Sequence, residues 1–210
     1  MFLITMAKAF TDAEKQELRD RLLSIGREHF TTFGLKKTSL EDLTRAVGIA
    51  KSSFYLFFAS KEALYWELML IDGQAIHDRI YRASFHSTAD MRSAIALFIR
   101  AVLQEIESNK LYQRLVDYPE ELKAVLRTLS PDQKTAQIAG SIDSLRPYII
   151  AGQRQGQIIA GRPEVIAAVI RTVTLFRLLR DAIGPDYFQD VLELFVTLVA
   201  DGLTEERKEP

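Results

Sequence analysis

Lys51, Ser52 and Ser53 open a short helical run that ends in the aromatic residues Phe54, Tyr55, Phe57 and Phe58. Short or cationic side chains at a helix start approach base edges and phosphates closely, so the chemistry on offer is hydrogen bonding and charge pairing, not bond making. Phe54 and Phe58, four positions apart, share a face that anchors the run in a core. Tyr55 points elsewhere and offers its hydroxyl to a phosphate oxygen. Ser60, Lys61 and Glu62 read as the cap and first turn of a further helix, whose amides and Lys61 suit the same backbone.

Covalent and metal chemistry has little to work with. The chain has no cysteine, which excludes disulfides, thiolate zinc sites and cysteine nucleophiles. His29, His77 and His86 are not at ligand spacing with carboxylates, and His29 falls on an apolar helical stripe where a core histidine is expected. The carboxylate pairs Glu120-Glu121 and Glu205-Glu206 read as solvated helix ends. With no Gly-rich phosphate loop, Ser elbow or HExxH pattern, the reading is of a protein that is not an enzyme and needs no metal and no cofactor.

The elements that carry Lys51 are short helices. Thr11 and Glu14 have capping-box spacing, and Leu18, Leu22, Ile25, His29 and Phe33 then follow at intervals of four and three, which predicts a first helix with one apolar stripe ended by a left-handed cap at Gly34. Ser39, with Asp42 three positions on, caps a second helix whose buried edge is Leu40, Leu43 and Val47. Gly48 turns the chain into the third helix, about 50 to 57. Two short helices joined at a glycine and buried against a third leave the start of the last one free to enter a major groove.

At these positions the chain resembles the TetR family of bacterial transcriptional repressors. The matching run is Thr38-Ser39-Leu40-Glu41-Asp42-Leu43, then Ala46-Val47-Gly48-Ile49-Ala50-Lys51-Ser52-Ser53-Phe54-Tyr55, then Phe58-Ala59-Ser60-Lys61-Glu62. Two residues depart from the pattern: Ala50 stands where a capping serine is usual, and Phe57 replaces a frequent histidine or tyrosine. The resemblance implies an all-α fold, with a three-helix helix-turn-helix DNA-binding domain at 11–62 (motif 39–58) and a helical effector-binding and dimerisation domain at 63–210. The candidate DNA-binding residues are Thr38, Ser39, Ala50, Lys51, Ser52, Ser53, Tyr55 and Lys61.

Charge alone does not show this. The net charge is -1, and the first 61 residues hold ten Lys/Arg against seven Asp/Glu, a mild surplus. A 48% hydrophobic, 26% charged composition over 210 residues is that of an ordinary globular chain with room for a full core. The start, MFLITMAKAF, lacks a secretory core and cleavage site, and no stretch has the length to span a bilayer, so a cytoplasmic protein without membrane partners is expected.

Beyond the motif, the sequence predicts a fourth helix from Lys61 to Ser84 with Leu64, Leu68, Ile71, Ala75 and Ile80 near one face. A fifth, capped by Ser87 or Thr88, reaches Ser108; helical stretches follow at 109–117 and up to 129, with another start at Ser130-Pro131 and a restart at Pro147. Two further helices, about 163–183 and 185–203, carry more apolar residues than one buried face needs, Leu178 among them. Either the hairpin is deeply buried in its own chain or, as the family resemblance favours, a second copy covers the excess; the candidate dimer interface is Val169, Val173, Phe188, Val191, Leu192, Phe195, Leu198 and Val199. Arg100, Arg171, Arg177 and Arg180 within apolar helices read either as partners for an anionic ligand or, more simply, as paired surface charge. The family resemblance further implies a cavity for a small-molecule effector, for which Tyr81, Phe85, Phe98, Tyr112, Tyr118, Tyr148 and Phe176 are the aromatic candidates.

The function expected is therefore a ligand-responsive, homodimeric repressor of a palindromic double-stranded DNA operator, released by its effector. The alternative is a helical dimeric ligand-binding or adaptor protein whose bihelical module contacts protein. Salt separates the two, because phosphate contacts make affinity fall steeply with salt, and Lys61→Ala is expected to flatten that fall.

Overall fold

The computed structural model describes residues 10–133 and 144–204, with the side chains at 174, 177 and 178 left aside. The predictions at Arg177, Leu178 and Glu205-Glu206 lie outside what is described. Among the described residues the regular structure is entirely helical: α1 (Asp12–Lys37), α2 (Leu40–Val47), α3 (Lys51–Phe54), α4 (Lys61–Ala83), α5 (Met91–Ser108), α6 (Lys110–Asp117), α7 (Pro119–Arg127), α8 (Arg146–Arg154), α9 (Pro163–Thr172), a 3₁₀ segment (Val173–Leu179), α10 (Arg180–Ile183) and α11 (Phe188–Thr204). The chain divides into two compact units, Met1–Met69 and Leu70–Pro210, with the division falling inside α4.

In the first unit, the Thr11 capping box forms as its spacing predicts, with Glu14 N donating to Thr11 Oγ1 and the Glu14 carboxylate accepting from Thr11 N. The buried stripe of α1 is displaced from the predicted one: Leu22, Gly26 and Phe30 face inward, while Phe33 is exposed. Gly26 is the reason. A Cβ there would lie 2.8 Å from Leu64 Cδ2, so the absent side chain lets α4 close onto α1, and the tight contact centres the packing one residue away from Ile25 and His29. Phe30 meets Tyr65 at 4.9 Å between ring centroids, and Arg19 pairs with Glu67. Gly34 has φ 83 and ψ 170, outside the left-handed helical basin expected of a cap, and the chain stays helical on its far side to Lys37.

The second unit packs α5 against α11 and α8 against α9 around Ile95, Ile99, Leu145, Ile149, Ala167, Ile170, Val173 and Val196. Several boundaries differ from those expected. Asp90, not Ser87 or Thr88, caps α5 by accepting from Ser93 N at 2.9 Å. Ile71 and Ala75 of α4 are exposed. The helix expected over 163–183 is interrupted by the 3₁₀ segment, and α11 begins at Phe188, three residues after Pro185. At 130, Ser130 Oγ accepts from Gln133 N as the Ser-Pro signal implies. Glu121 is no solvated end: it is 4% exposed and holds Arg114 through two bonds of 3.0 and 3.1 Å. Arg100 pairs with Glu193 at 2.8 Å, the surface role expected of it.

Candidate nucleic-acid interface

Ser39 begins the interface by fixing α2. Its Oγ accepts from Asp42 N at 3.1 Å and donates to Asp42 Oδ2 at 2.6 Å; that hydroxyl, with Ser39 N donating to the same oxygen at 3.3 Å, holds the Asp42 carboxyl below the usual aspartate range. Leu43, Thr44 and Val47 form the buried side of α2. Its end is a Schellman pattern: Ile49 N donates to Thr44 O at 3.0 Å and Gly48 N to Arg45 O at 3.2 Å, with Gly48 at φ 83 and ψ 32. A residue with a Cβ would be strained there, so the turn that aims α3 depends on glycine.

Beyond the turn, burial and exposure alternate by helical face. Phe54 and Phe58 are buried and pack together at 5.8 Å, with the Arg19 guanidinium over Phe58. Lys51, Ser52, Tyr55 and Leu56 are exposed, and Ser53 is half-buried. Positions i, i+1, i+4 and i+5 of a helical turn share a side, so these side chains form one outward face. Ala50, at the N-cap, has no side-chain bond to the helix, as its identity dictates. Leu56, 67% exposed, was not among the residues expected here, although its spacing of four from Ser52 was the available signal.

Two of the expected contacts face inward. Thr38 is 1% exposed and its hydroxyl donates to Gly34 O at 2.7 Å, so it closes the corner between α1 and α2. Lys61 donates from Nζ to Leu35 O at 2.6 Å and Thr38 O at 2.8 Å, on the same corner. Both were expected on the outer surface because sequence spacing does not show that the start of α4 abuts this corner. Lys36 and Lys37 on the corner itself are exposed. Lys51 reaches back to Glu41 Oε1 at 2.5 Å, a pairing across ten positions that no periodicity announces.

In the second unit the seven aromatic candidates fall into separate places. Tyr81, Phe85, Phe98 and Tyr148 form one group, with centroids 4.5–5.8 Å apart. His77 stacks on Tyr81 at 4.2 Å, and His86 Nε2 lies 2.7 Å from Tyr148 Oη. Tyr81 donates to Ser144 Oγ at 2.9 Å, and burial pushes its phenol up to about 12. Tyr112 sits apart with its hydroxyl against Gly73, its phenol likewise raised to about 12 by burial. Tyr118 is exposed under the Arg114 guanidinium, and Phe176 pairs with Phe195. An open hollow of about 410 Å³ is lined by Asp90, Arg92, Gln157, Asp201 and Thr204, and none of the seven aromatics belongs to it.

The interface expected between copies is also divided. Val173, Phe188 and Leu192 are buried in their own unit's core, because the 3₁₀ segment turns Val173 inward and α11 sets Phe188 and Leu192 on its inner face. Val169 and Leu198 are exposed; Val191, Phe195 and Val199 are half-buried. Exposed beside them are Val165, Leu175, Leu179, Tyr187 and Leu194. Among the described residues no group of three His, Asp or Glu is arranged to hold a metal ion, and no helix is long and apolar enough to cross a membrane.

A glycine-turned helix pair braced by a third helix, with polar residues on the outer face of the second, defines a helix-turn-helix protein. Residues 22–68 match the model of the bacterial regulatory proteins of the tetR family. The transcriptional regulator RutR of Escherichia coli (strain K12) is 28% identical over 130 residues, which are 59% of this chain and 61% of that regulator. The crystal structure of a TetR-family transcriptional regulator from Pectobacterium atrosepticum is 25% identical with a TM-score of 0.72, over 94% of this chain and 99% of that one. RolR, solved in complex with resorcinol, shares the fold at 12% identity and a TM-score of 0.63, over 93% of this chain and 92% of its own. The chain is thus similar to TetR-family transcriptional regulators, in sequence over its helix-turn-helix module and in fold over most of its length.

Proposed function

We propose that the protein is a homodimeric transcriptional regulator that represses from a palindromic operator and leaves it when a small molecule binds. The observation that carries the reading is the outward face of α3, where Lys51, Ser52, Tyr55 and Leu56 are exposed while Phe54 and Phe58 hold the helix to its core. Residues 11–62 form the DNA-binding domain, and 63–210 serve the effector and the second copy. Ser52 and Ser53 approach base edges, Tyr55 and Lys51 reach phosphate or base acceptors, and Lys36 and Lys37 add backbone contacts from the corner. Pairing through the exposed apolar residues of α9 and α11 sets two recognition helices about 34 to 36 Å apart, one DNA turn.

The group Tyr81, Phe85, Phe98 and Tyr148 supports an aromatic or apolar effector site, and the resorcinol bound by RolR is a ligand of that kind. An effector acts only through its differential affinity for the two states, weakening DNA binding by as much as it prefers the state that cannot span both half-sites. Without a membrane-spanning helix among the described residues, the site of action proposed is the cytoplasm. Selection of duplexes from a random pool by the purified protein tests the reading. A palindromic consensus whose affinity falls steeply with salt is expected, and failure to enrich any sequence would refute it.

A further inference from the structure

The cation at the start of the recognition helix is already paired. Lys51 Nζ lies 2.5 Å from Glu41 Oε1, and both side chains are about half exposed. The bond holds the Glu41 carboxyl below its usual range and the Lys51 ammonium above its own, so both ends are ionised at neutral pH and the pair has no net charge. Glu41 belongs to the first turn of α2, where Ser39 and Asp42 complete the cap without it. Its carboxylate is therefore not needed to build the helix.

A tethered carboxylate next to a cation competes with any phosphate that approaches. A phosphate taking Lys51 must displace Glu41 and then sit beside a like charge, whereas guanine O6 and N7 offer two acceptors without a full negative charge. Non-specific DNA binding is almost wholly electrostatic, and the first 61 residues carry a surplus of only three positive charges, so neutralising one costs indiscriminate binding more than specific binding. We infer that Glu41 is a specificity-determining residue, which withholds Lys51 from phosphates and aims it at a guanine edge. The inference rests on α3 being the DNA-facing helix.

The experiment compares the full-length wild type with E41Q, K51M and E41Q/K51M, by fluorescence anisotropy over a series of salt concentrations. Each protein is titrated with a duplex selected by the wild type and with a scrambled duplex. E41Q is expected to tighten the scrambled duplex by about fivefold, the reach of one surface pair. Its salt slope there should steepen by about 0.9 for each helix engaged. The selected duplex should gain less, so the ratio between the two falls, and the gain on the scrambled duplex should shrink when Lys51 is Met. Equal tightening of both duplexes, an E41Q effect as large without Lys51, or no effect at all would overturn the inference. Thermal melts of each variant confirm that the fold is kept. A wild type that selects no duplex defeats the reading of α3 itself, a result visible before any variant is compared.

Discussion

The first unit buries most of its large apolar side chains, whereas the second leaves a row of them in the open. Leu22, Phe30, Leu43, Phe54, Leu64 and Tyr65 are all fully covered within the first unit. In the second, Val165, Val169, Leu175, Leu179, Tyr187, Leu194 and Leu198 are exposed, the last two at 60% and 59%. The difference teaches which part is complete alone. The module of α1 to α3, closed by the start of α4, covers its own core, so what it exposes at α3 is available for a ligand. A helical unit with an open apolar row has more surface than its own core can cover, and a second copy is the occupant that the proposed function requires.

The comparison breaks most visibly at α11. Leu194→Glu combined with Leu198→Glu is expected to halve the mass measured by light scattering and to weaken binding to the selected duplex by about a hundredfold or more, since two linked half-sites become one. A dimer that survives both charges would place the second copy elsewhere. In the closed unit, Phe54→Ala should cost about 3 to 5 kcal/mol in urea unfolding, the usual penalty for emptying a buried aromatic site. A loss below that range would mean the core relaxes around α3 and is less complete than its burial implies.

Smaller effects sharpen the contrast within the module. Ser39→Ala should cost about 1 kcal/mol by removing the α2 cap, and Ser39→Asp should restore most of it, as read by the same unfolding curves. Acid gives the smallest effect. The Asp42 carboxyl is held below its ordinary 3.8 by Ser39, so its contribution is fully present above that value and is lost as pH falls through the lower folded value. Unfolding midpoints from about pH 5 down to pH 2 should therefore drop less for Asp42→Asn than for the wild type.

Local signals made the module legible. Capping boxes at Thr11 and Ser39, the turn at Gly48 and the spacing of Phe54 and Phe58 each depend on residues at most four positions apart, and each formed as its spacing predicts. What failed depends on distant packing. The stripe of α1 shifted because Gly26, invisible to an apolar pattern, admits Leu64. Thr38 faces inward at a corner that Lys61, 23 positions on, ties from the start of α4, and the pairing of Glu41 with Lys51 needs the geometry of the turn between them. In the second unit, the continuous apolar run over 163–183 conceals a change of helix type, so Val173 and its neighbours could not be assigned to one face from the pattern.

Lys61 lends its charge to masonry. Its ammonium ties the first residue of α4 to the carbonyls of Leu35 and Thr38, which mark the bend that delivers Ser39 to the start of α2. Removing that side chain leaves two carbonyl oxygens without their donor, and the bend can sag while every outward-facing group stays chemically intact. Weak operator binding by Lys61→Ala would therefore report a warped scaffold and give no tally of phosphates touched. The informative places to count them are Lys36 and Lys37, which stand exposed on that bend.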